Sequence, residues 1–475
     1  MNSITIGLVI YLLVVLFVGY KAFSRNKTHS DYLLADRKIG AWALSLSERA
    51  SGESAWLLIG LPGAVLTAGY FEIWAVVGCL LGIFFAWLFI AIPLRNLAGE
   101  YNSLTLPDLF SNYFGDNGNS IRIISSLIIT FFFSFYVAAQ FSGAGKVLNV
   151  TFGITQLQGM FIGAGIILIY TLLGGFFAVV WTDVVQAIIM FATLVILPIV
   201  GFIELQNIDP SEIHSLDIGL RSFVGNRVGI YAILGIIGGL SWGLGYTGQP
   251  HLLIRYMAIN KSSQLKIGRR IAFSWAIPAF FGAFFLGIIG LKLYGAEQFS
   301  DPEKLMPFMA MALLPTWFAG ILISGAIAAM MSTADSQLLV TTSAISEDLY
   351  HKVGKKKASP ERMLLISRIA TIIIGIIAFI FAYKSSELVF EMVSYAWAGL
   401  GASFGPVLLL ILYWKKITKA GAISGMLTGA FSTVIWKNIA VLDNFVTVRF
   451  ASFILAFIVI IVVSTFTFEN KDVKQ

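Results

Sequence analysis

The sequence predicts an all-α polytopic membrane protein of about thirteen transmembrane helices, and three observations carry that reading. Of 475 residues, 58% are hydrophobic and 12% charged, whereas a soluble domain carries roughly 25% charged residues. Apolar runs of about 20 residues, the length of one helical crossing, recur near 4–23, 42–69, 73–94, 121–148, 157–178, 182–204, 228–250, 271–294, 308–334, 363–384, 388–413, 419–438 and 448–468. The runs are continuously apolar, as in IAFSWAIPAFFGAFFLGIIG at 271–290. Strands of an outer-membrane barrel would be shorter and would alternate apolar with polar residues.

The first run lacks a positive segment before it and an obvious small-residue cleavage site, and positive charge follows at Lys21, Arg25 and Lys27. It is expected to stay as the first span with its N-terminus outside. The second run, WALSLSERASGESAWLLIGLPGA at 42–64, carries Glu48, Arg49, Ser51, Gly52, Glu53 and Ser54 in its middle, with Gly60, Pro62 and Gly63 beyond. Ionisable residues and irregular backbone survive at membrane depth only where protein or water satisfies them, so this segment predicts a broken helix at a site. A second interrupted run, SWGLGYTGQP at 241–250, opens the other half. Paired interruptions of this kind mark the binding site of secondary transporters.

The loop after the seventh run carries Arg255, Lys261, Lys266, Arg269 and Arg270 without an acid. Loops at 21–40, 350–362 (Lys352, Lys355, Lys356, Lys357, Arg362) and 414–419 (Lys415, Lys416, Lys419) are also basic and lie an even number of crossings away. The intervening loops IELQNIDPSEIHSLDIG and YGAEQFSDPEKL are acidic or neutral, which predicts a cytoplasmic C-terminus in a cell (inner) membrane. The longest loops, near 95–120, 205–227 and 334–362, leave no room for an appended soluble domain, so 1–475 is expected to be one transporter domain. The formal charge of +7 is explained by these loops and not by a nucleic-acid surface. Cys79 is the one cysteine, so no intrachain disulfide is possible. His29, His214, His251 and His351 fall in or at the edges of loops without metal-type spacing, and no G-x-x-x-x-G-K-[ST] loop is present. An intramembrane metalloenzyme and an ATP-driven pump are therefore unsupported; no enzyme and no cofactor is expected.

Polar residues inside apolar runs nominate a cavity lining: Tyr136, Gln140, Asp183 with Gln186, Trp242 to Gln249, and Ser332-Thr333 through Asp335. Hard cations such as sodium take oxygen ligands, which broken helices and hydroxyls supply. Ser332 and Thr333 suit that role, with Asp183 and Asp335 as possible support; the alternative is that the hydroxyls bond their own helix or join two helices. Asp183 is equally readable as an N-cap of a helix starting after Thr182. Trp242 and Tyr246, at i and i+4, share a helical face beside Gly243, Gly245, Gly248 and Pro250, fit for an apolar organic solute or for packing alone. Trp87 reads as packing.

The motifs GESAWLLIGLPGAV, LTLPDLF, WTDVVQA, SWGLGYTGQPHLLIRYMA, AAMMSTADSQLLVTTSAISEDLY and VSYAWAGLGASFGPVLLL, in this order through nearly the whole chain, resemble the sodium:solute symporters, and within them the bacterial sodium/proline symporters. The resemblance implies a LeuT-type core of two inverted five-helix repeats, at 41–204 and 228–413, preceded by a span and loop at 1–40 and followed by two spans at 419–468. It implies a sodium site of backbone carbonyls of Ala50, Glu53 and Ala329 with the hydroxyls of Ser332 and Thr333. It also implies a substrate site at Ser54, Tyr136, Trp242, Tyr246 and Pro250. The implied activity is sodium-coupled import of proline or a related small amino acid by alternating access; alternatives are another small organic solute, or a channel or sensor without coupled transport.

One departure stands out. Where that subfamily reads S-A-G-A-S-D-M-S-G-W, this chain reads SERASGESAW, so the family's acid is replaced by Gly52 while Glu48, Arg49 and Glu53 are additional. The expectation is that Glu53 turns its carboxylate toward the cation and replaces the missing charge. The alternative is an ion pair with Arg49 one turn away.

Overall fold

Hydrocarbon offers backbone amides no partner, so spanning segments must satisfy them internally; the described chain is accordingly helical throughout its apolar runs. A computed structural model describes residues 3–23, 35–173, 175–354 and 359–468. Among them there is no strand, only an isolated parallel bridge between Ile39 and Ile259. Arg25, Lys27, His29 and Lys355 to Lys357, used above for topology or excluded as ligands, lie outside the described residues.

Helix α1 is Ser3–Phe23. The first broken helix comprises α2 (Ala41–Ala55), a π-helical stretch (Trp56–Gly60) and α3 (Leu61–Ala68). A tight turn at Gly69–Glu72 leads into α4 (Ile73–Phe85) and, after a second π-helical stretch, α5 (Ala91–Glu100). Ala41–Glu100 covers 60 residues, about 90 Å if straight and too long for one crossing of a hydrocarbon core of about 30 Å, and the turn at Gly69–Glu72 divides it into two spans. Gly69 makes the reversal possible: its φ is +64°, and a Cβ there would lie 2.1 Å from the Leu220 carbonyl oxygen. The return is visible in the Trp87 indole, which donates to Glu48 of α2 at 3.2 Å.

There follow α6 (Leu106–Tyr113), α7 (Ser120–Phe152), α8 (Gln156–Leu173) and α9 (Phe176–Asn207). The second broken helix comprises α10 (Ile230–Leu240), α11 (Trp242–Gly245) and α12 (Pro250–Ala258), bent by 42°. The remainder are α13 (Leu265–Tyr294), α14 (Leu305–Leu313), α15 (Thr316–Ser343) with a π-helical continuation Ala344–Val353, α16 (Pro360–Lys384), α17 (Val389–Tyr413), α18 (Lys419–Asn438) and α19 (Val448–Thr467). Among the described residues, nine helices are long and apolar enough to cross a membrane alone, ten with the bent pair. Each expected span contains a helix, but two bounds are corrected: 157–178 runs past the end of α8 into α9, and 308–334 bridges the break at Leu314–Pro315 between α14 and α15, which continues to Ser343; α8 and α18 are the two outside that length-and-hydropathy class.

Several expectations are corrected. The loop near 95–120 contains α6, capped by Thr105, whose hydroxyl accepts from the Asp108 N–H at 3.0 Å. The loop expected near 334–362 is helical to Val353, because Asp335, Gln337 and the following hydroxyls lie against protein and not against water. Asp183 is no N-cap: α9 starts at Phe176 after Gly175, two turns earlier. Arg255, read as a loop charge, is a buried residue of α12, as is His251 at that helix's start.

Position in the bundle follows from composition. Helix α16 exposes Ile369, Ile372, Ile373, Ile376 and Ile380, a stripe that suits lipid. By contrast α2 is buried from Ala43 to Ala55 and packs against α9, α13 and α15. Its polar residues therefore have to find partners on those helices.

Candidate functional site

The site begins with one backbone fault. Ser54 has φ +39° and ψ −169°, outside the helical region, which interrupts the i to i−4 ladder of α2. The Ala55 N–H, which an unbroken helix would aim at the Ser51 carbonyl, donates instead to Gln140 Oε1 of α7 at 3.0 Å. Trp56 N–H goes to Ser54 Oγ at 3.3 Å and to the Glu53 carbonyl. The Ser51 carbonyl is thereby released from the ladder, and α15 meets it and the neighbouring Ala50 carbonyl with hydroxyls. Ser332 Oγ lies 3.0 Å from the Ala50 oxygen and 3.1 Å from the Ala329 oxygen, while Thr333 Oγ1 lies 3.0 Å from the Ser51 oxygen. The result is a buried cluster of carbonyl and hydroxyl oxygens, the donor set a hard cation prefers. Of the expected ligands, Ala50, Ala329, Ser332 and Thr333 come together here. The Ser51 carbonyl joins them, whereas the Glu53 carbonyl serves the local turn.

Ser51 links this cluster to an ion pair. Its Oγ lies 3.0 Å from Asp183 Oδ2 of α9, and 2.9 Å from Ser336 Oγ of α15. Arg255 Nη2 of α12 donates to Ser51 Oγ at 2.5 Å, Asp183 Oδ2 at 2.9 Å and Ser336 Oγ at 2.7 Å, and its Nε donates to Ser47 Oγ at 2.8 Å. Four helices are tied at one buried point. Asp335 accepts from Ser336 at 3.3 Å through Oδ1, while its Oδ2, like Asp183 Oδ1, is buried without a partner. Both aspartates named as support thus border the oxygen cluster, and each keeps acceptor capacity. Arg255 was missed because a basic residue after an apolar run resembles a loop charge; the signal available was its place on one short helix with His251.

The second broken helix supplies the aromatic wall. Trp242 stacks on Trp56 at 4.8 Å between centroids, and Tyr246 meets Trp397 edge to face at 4.7 Å. Trp397 Nε1 donates to the Trp242 carbonyl at 3.0 Å and Gln249 Nε2 to the Trp397 carbonyl at 3.1 Å, so α17 pins both sides of the break. The approach requires Gly245, where a Cβ would come within 1.8 Å of Trp397 Nε1. Pro250 occupies the first turn of α12, where its missing N–H is harmless. Tyr136 of α7 lies edge-on to Trp397 at 6.4 Å, its hydroxyl buried without a partner. Tyr136, Trp242 and Tyr246 are thus joined through Trp397, with Ser54 at the facing break. Trp56 and Trp397 were not foreseen, since neither stands out in a sequence with 14% aromatic residues.

The additional charges of α2 form a chain. Arg49 donates to Glu48 through Nε at 2.6 Å and through Nη2, and to Glu53 Oε1 through Nη1 at 2.6 Å. Tyr256 donates to Glu48 at 3.0 Å, and Tyr246 to Glu53 Oε2 at 3.1 Å. The Glu53 carboxylate therefore takes the ion-pair arrangement: its hydrogen bonds run to Arg49 and Tyr246 and not to Ser332 or Thr333. Trp87, read as packing, is part of this chain through Glu48.

The family model of the sodium:solute symporter family matches residues 32–429. The high-affinity proline transporter PutP of Bacillus subtilis (strain 168) is 40% identical over 434 residues, covering 90% of this chain and 91% of its own. The sodium/proline symporter of Escherichia coli (strain K12) is 37% identical over 445 residues, covering 90% and 86%. Among solved structures, a Na+-coupled sialic acid symporter in a substrate-bound, outward-open state superposes with a TM-score of 0.76 at 19% identity, covering 98% of both chains. MhsT in complex with L-phenylalanine has the same fold, with a TM-score of 0.57 at 13% identity over 90% of this chain and 99% of that one.

Proposed function

The chain belongs to the sodium:solute symporter family, and on that premise we propose that it imports proline, or a small amino acid close to it, by sodium-coupled alternating access. The observation that carries the reading is the oxygen cluster at the Ser54 break, where Ala50 and Ser51 carbonyls meet Ser332 and Thr333. We assign sodium to Ala50, Ala329, Ser332 and Thr333, with the Glu53 carbonyl joining when the local turn opens and Asp183 and Asp335 as outer charges. The amino acid is assigned to the surface between Ser54, Tyr136, Trp242, Tyr246 and Pro250.

The coupling follows from where these groups sit. The break in α2 lends its released carbonyls to the cation and Ser54 to the solute, so filling one side fixes the backbone geometry the other needs. We read 41–204 and 228–413 as the two inverted five-helix repeats. We place the N-terminus outside and the C-terminus in the cytoplasm of a cell membrane, the orientation the basic loops support, which puts the Asp183–Arg255 pair on the cytoplasmic side of the break. Inward release then requires α12 to part from α9 and α15, exchanging Arg255 contacts for water. One cation entering down 100 mV contributes about 2.3 kcal/mol, enough to concentrate a neutral solute. The test is counterflow in proteoliposomes with and without sodium, screened over labelled amino acids: sodium-dependent exchange of proline is expected, and sodium-independent flux of every solute would overturn the reading.

A further inference from the structure

Glu48, Arg49 and Glu53 are buried together, two carboxyl groups around one guanidinium. The two carboxylates are unequally served. Glu48 takes the fork of Arg49 and also the Trp87 indole and Tyr256 hydroxyl, which fills the acceptor sites of its two oxygens. Glu53 receives one guanidinium N–H at 2.6 Å and the Tyr246 hydroxyl at 3.1 Å, so it retains acceptor sites. A net charge held away from water is costly until a counter-charge arrives.

The position of Glu53 indicates which counter-charge. It immediately precedes the Ser54 break and is bonded to Tyr246 of the second broken helix, so it lies at the seam between the two interrupted segments. Tyr246 is backed edge-on by Trp397, and on the same tryptophan stands Tyr136. A carboxylate with open acceptor sites beside aromatic faces meets the requirements of a cationic nitrogen bearing N–H donors. The oxygen cluster for a bare cation lies elsewhere, on the α15 side of α2, and Glu53 makes no hydrogen bond to it.

We propose that Glu53 and Tyr246 form the subsite for the positively charged nitrogen of the transported solute, so that this chain selects solutes with a primary or secondary ammonium group. The proposal rests on the reading of the chain as a symporter of proline or a related amino acid. When the ammonium arrives, it donates to the open acceptor sites of Glu53 while Arg49 stays on Glu48. A ring of the same size with oxygen in place of the nitrogen brings no such charge and leaves the carboxylate unpaired.

The experiment is competition against labelled L-proline on purified, sodium-loaded protein, using tetrahydro-2-furoic acid, which has the carboxylate but no ammonium, and prolinamide, which has the ammonium but no carboxylate. Wild-type protein is expected to bind proline and prolinamide and to ignore tetrahydrofuroate. Glu53→Gln is expected to raise the proline concentration for half-occupancy about tenfold or more, and to shift it further than it shifts the sodium requirement. Tyr246→Phe, which keeps the charge, should weaken proline less than Glu53→Gln, and it serves as the second variant should Glu53→Gln not be recovered folded, any loss then falling on proline and prolinamide alone. The proposal is overturned if tetrahydrofuroate competes as well as proline, or if Glu53→Gln shifts the sodium requirement and leaves proline unchanged. In both cases sodium-dependent proline binding would persist, so the symport reading would survive; absence of binding by any amino acid would sink both.

Discussion

Thr333→Ala removes a single hydroxyl from the oxygen cluster, and the structure sets what that loss should do. Thr333 Oγ1 lies 3.0 Å from the Ser51 carbonyl. That carbonyl cannot fall back on its helix, because the Ala55 N–H that would have served it is committed to Gln140. The variant therefore loses one candidate cation ligand, a contact of about 1.5–3 kcal/mol on the scale of a hydrogen bond to a charged group. At tenfold per 1.4 kcal/mol, the sodium concentration for half-maximal uptake should rise roughly tenfold to a hundredfold. Thr333→Ser keeps the oxygen and should stay within about threefold of wild type. The assay is sodium-titrated uptake of labelled proline in proteoliposomes, normalised to the amount of folded protein incorporated. If Thr333→Ala and Ser332→Ala both titrate like wild type, the hydroxyls only join α15 to α2 and the assignment of sodium to this cluster is wrong.

Four further outcomes follow from named contacts. Trp242→Ala should weaken proline binding at least about tenfold, whereas Trp317→Ala, at a residue 58% exposed, should not change it; Trp87 is unsuitable as a control because its indole serves Glu48. Exchanging Arg49 and Glu53 should abolish folded protein, since the new acid at 49 would face Glu48 with no cation on their side; recovery of active transporter would contradict the charge chain described. Asp183→Asn leaves Arg255 buried with its carboxylate partner gone, at a cost of about 3–5 kcal/mol, so detergent-solubilised protein should melt at visibly lower temperature, and an unchanged melt would deny the pair a structural part. Asp108, on α6 outside the spans, is raised by burial but held below the ordinary carboxylate range by Lys352, the Leu104 N–H and Arg122; its contribution is therefore present above the unfolded carboxylate pKa and is lost as pH falls through the lowered value, which should appear as faster amide exchange in α6 only under acid conditions.

Sequence and structure agree most where a local rule acts alone. Apolar runs had to be helices, and the two interruptions had to be breaks, because polar and glycine-rich centres at membrane depth have few other uses. Ser332 and Thr333 could be named as hydroxyl oxygens in an apolar run, and the structure brings them against the Ala50 and Ser51 carbonyls. The partners across the bundle were not. Arg255 looked like a loop charge until α12 placed it on Asp183, and Asp183 looked like a cap until α9 proved to begin at Phe176. Glu53 illustrates the limit best: spacing allowed either a cation-facing carboxylate or a pair with Arg49, and only the contact with Tyr246, 193 positions away, shows which way the side chain lies. Trp397 was invisible for a related reason, since nothing in its own neighbourhood reveals that Gly245 has been emptied to receive it.

The central claim is that a sodium gradient drives solute uptake through the break in α2. The direct measurement is accumulation of labelled proline in proteoliposomes under an imposed inward sodium gradient, with and without an inside-negative potential, and with a proton gradient as the sole alternative force. Transient accumulation above equilibrium that requires sodium and accelerates with the potential is the predicted result; accumulation driven by protons in sodium-free buffer, or equilibration indifferent to sodium, would contradict it.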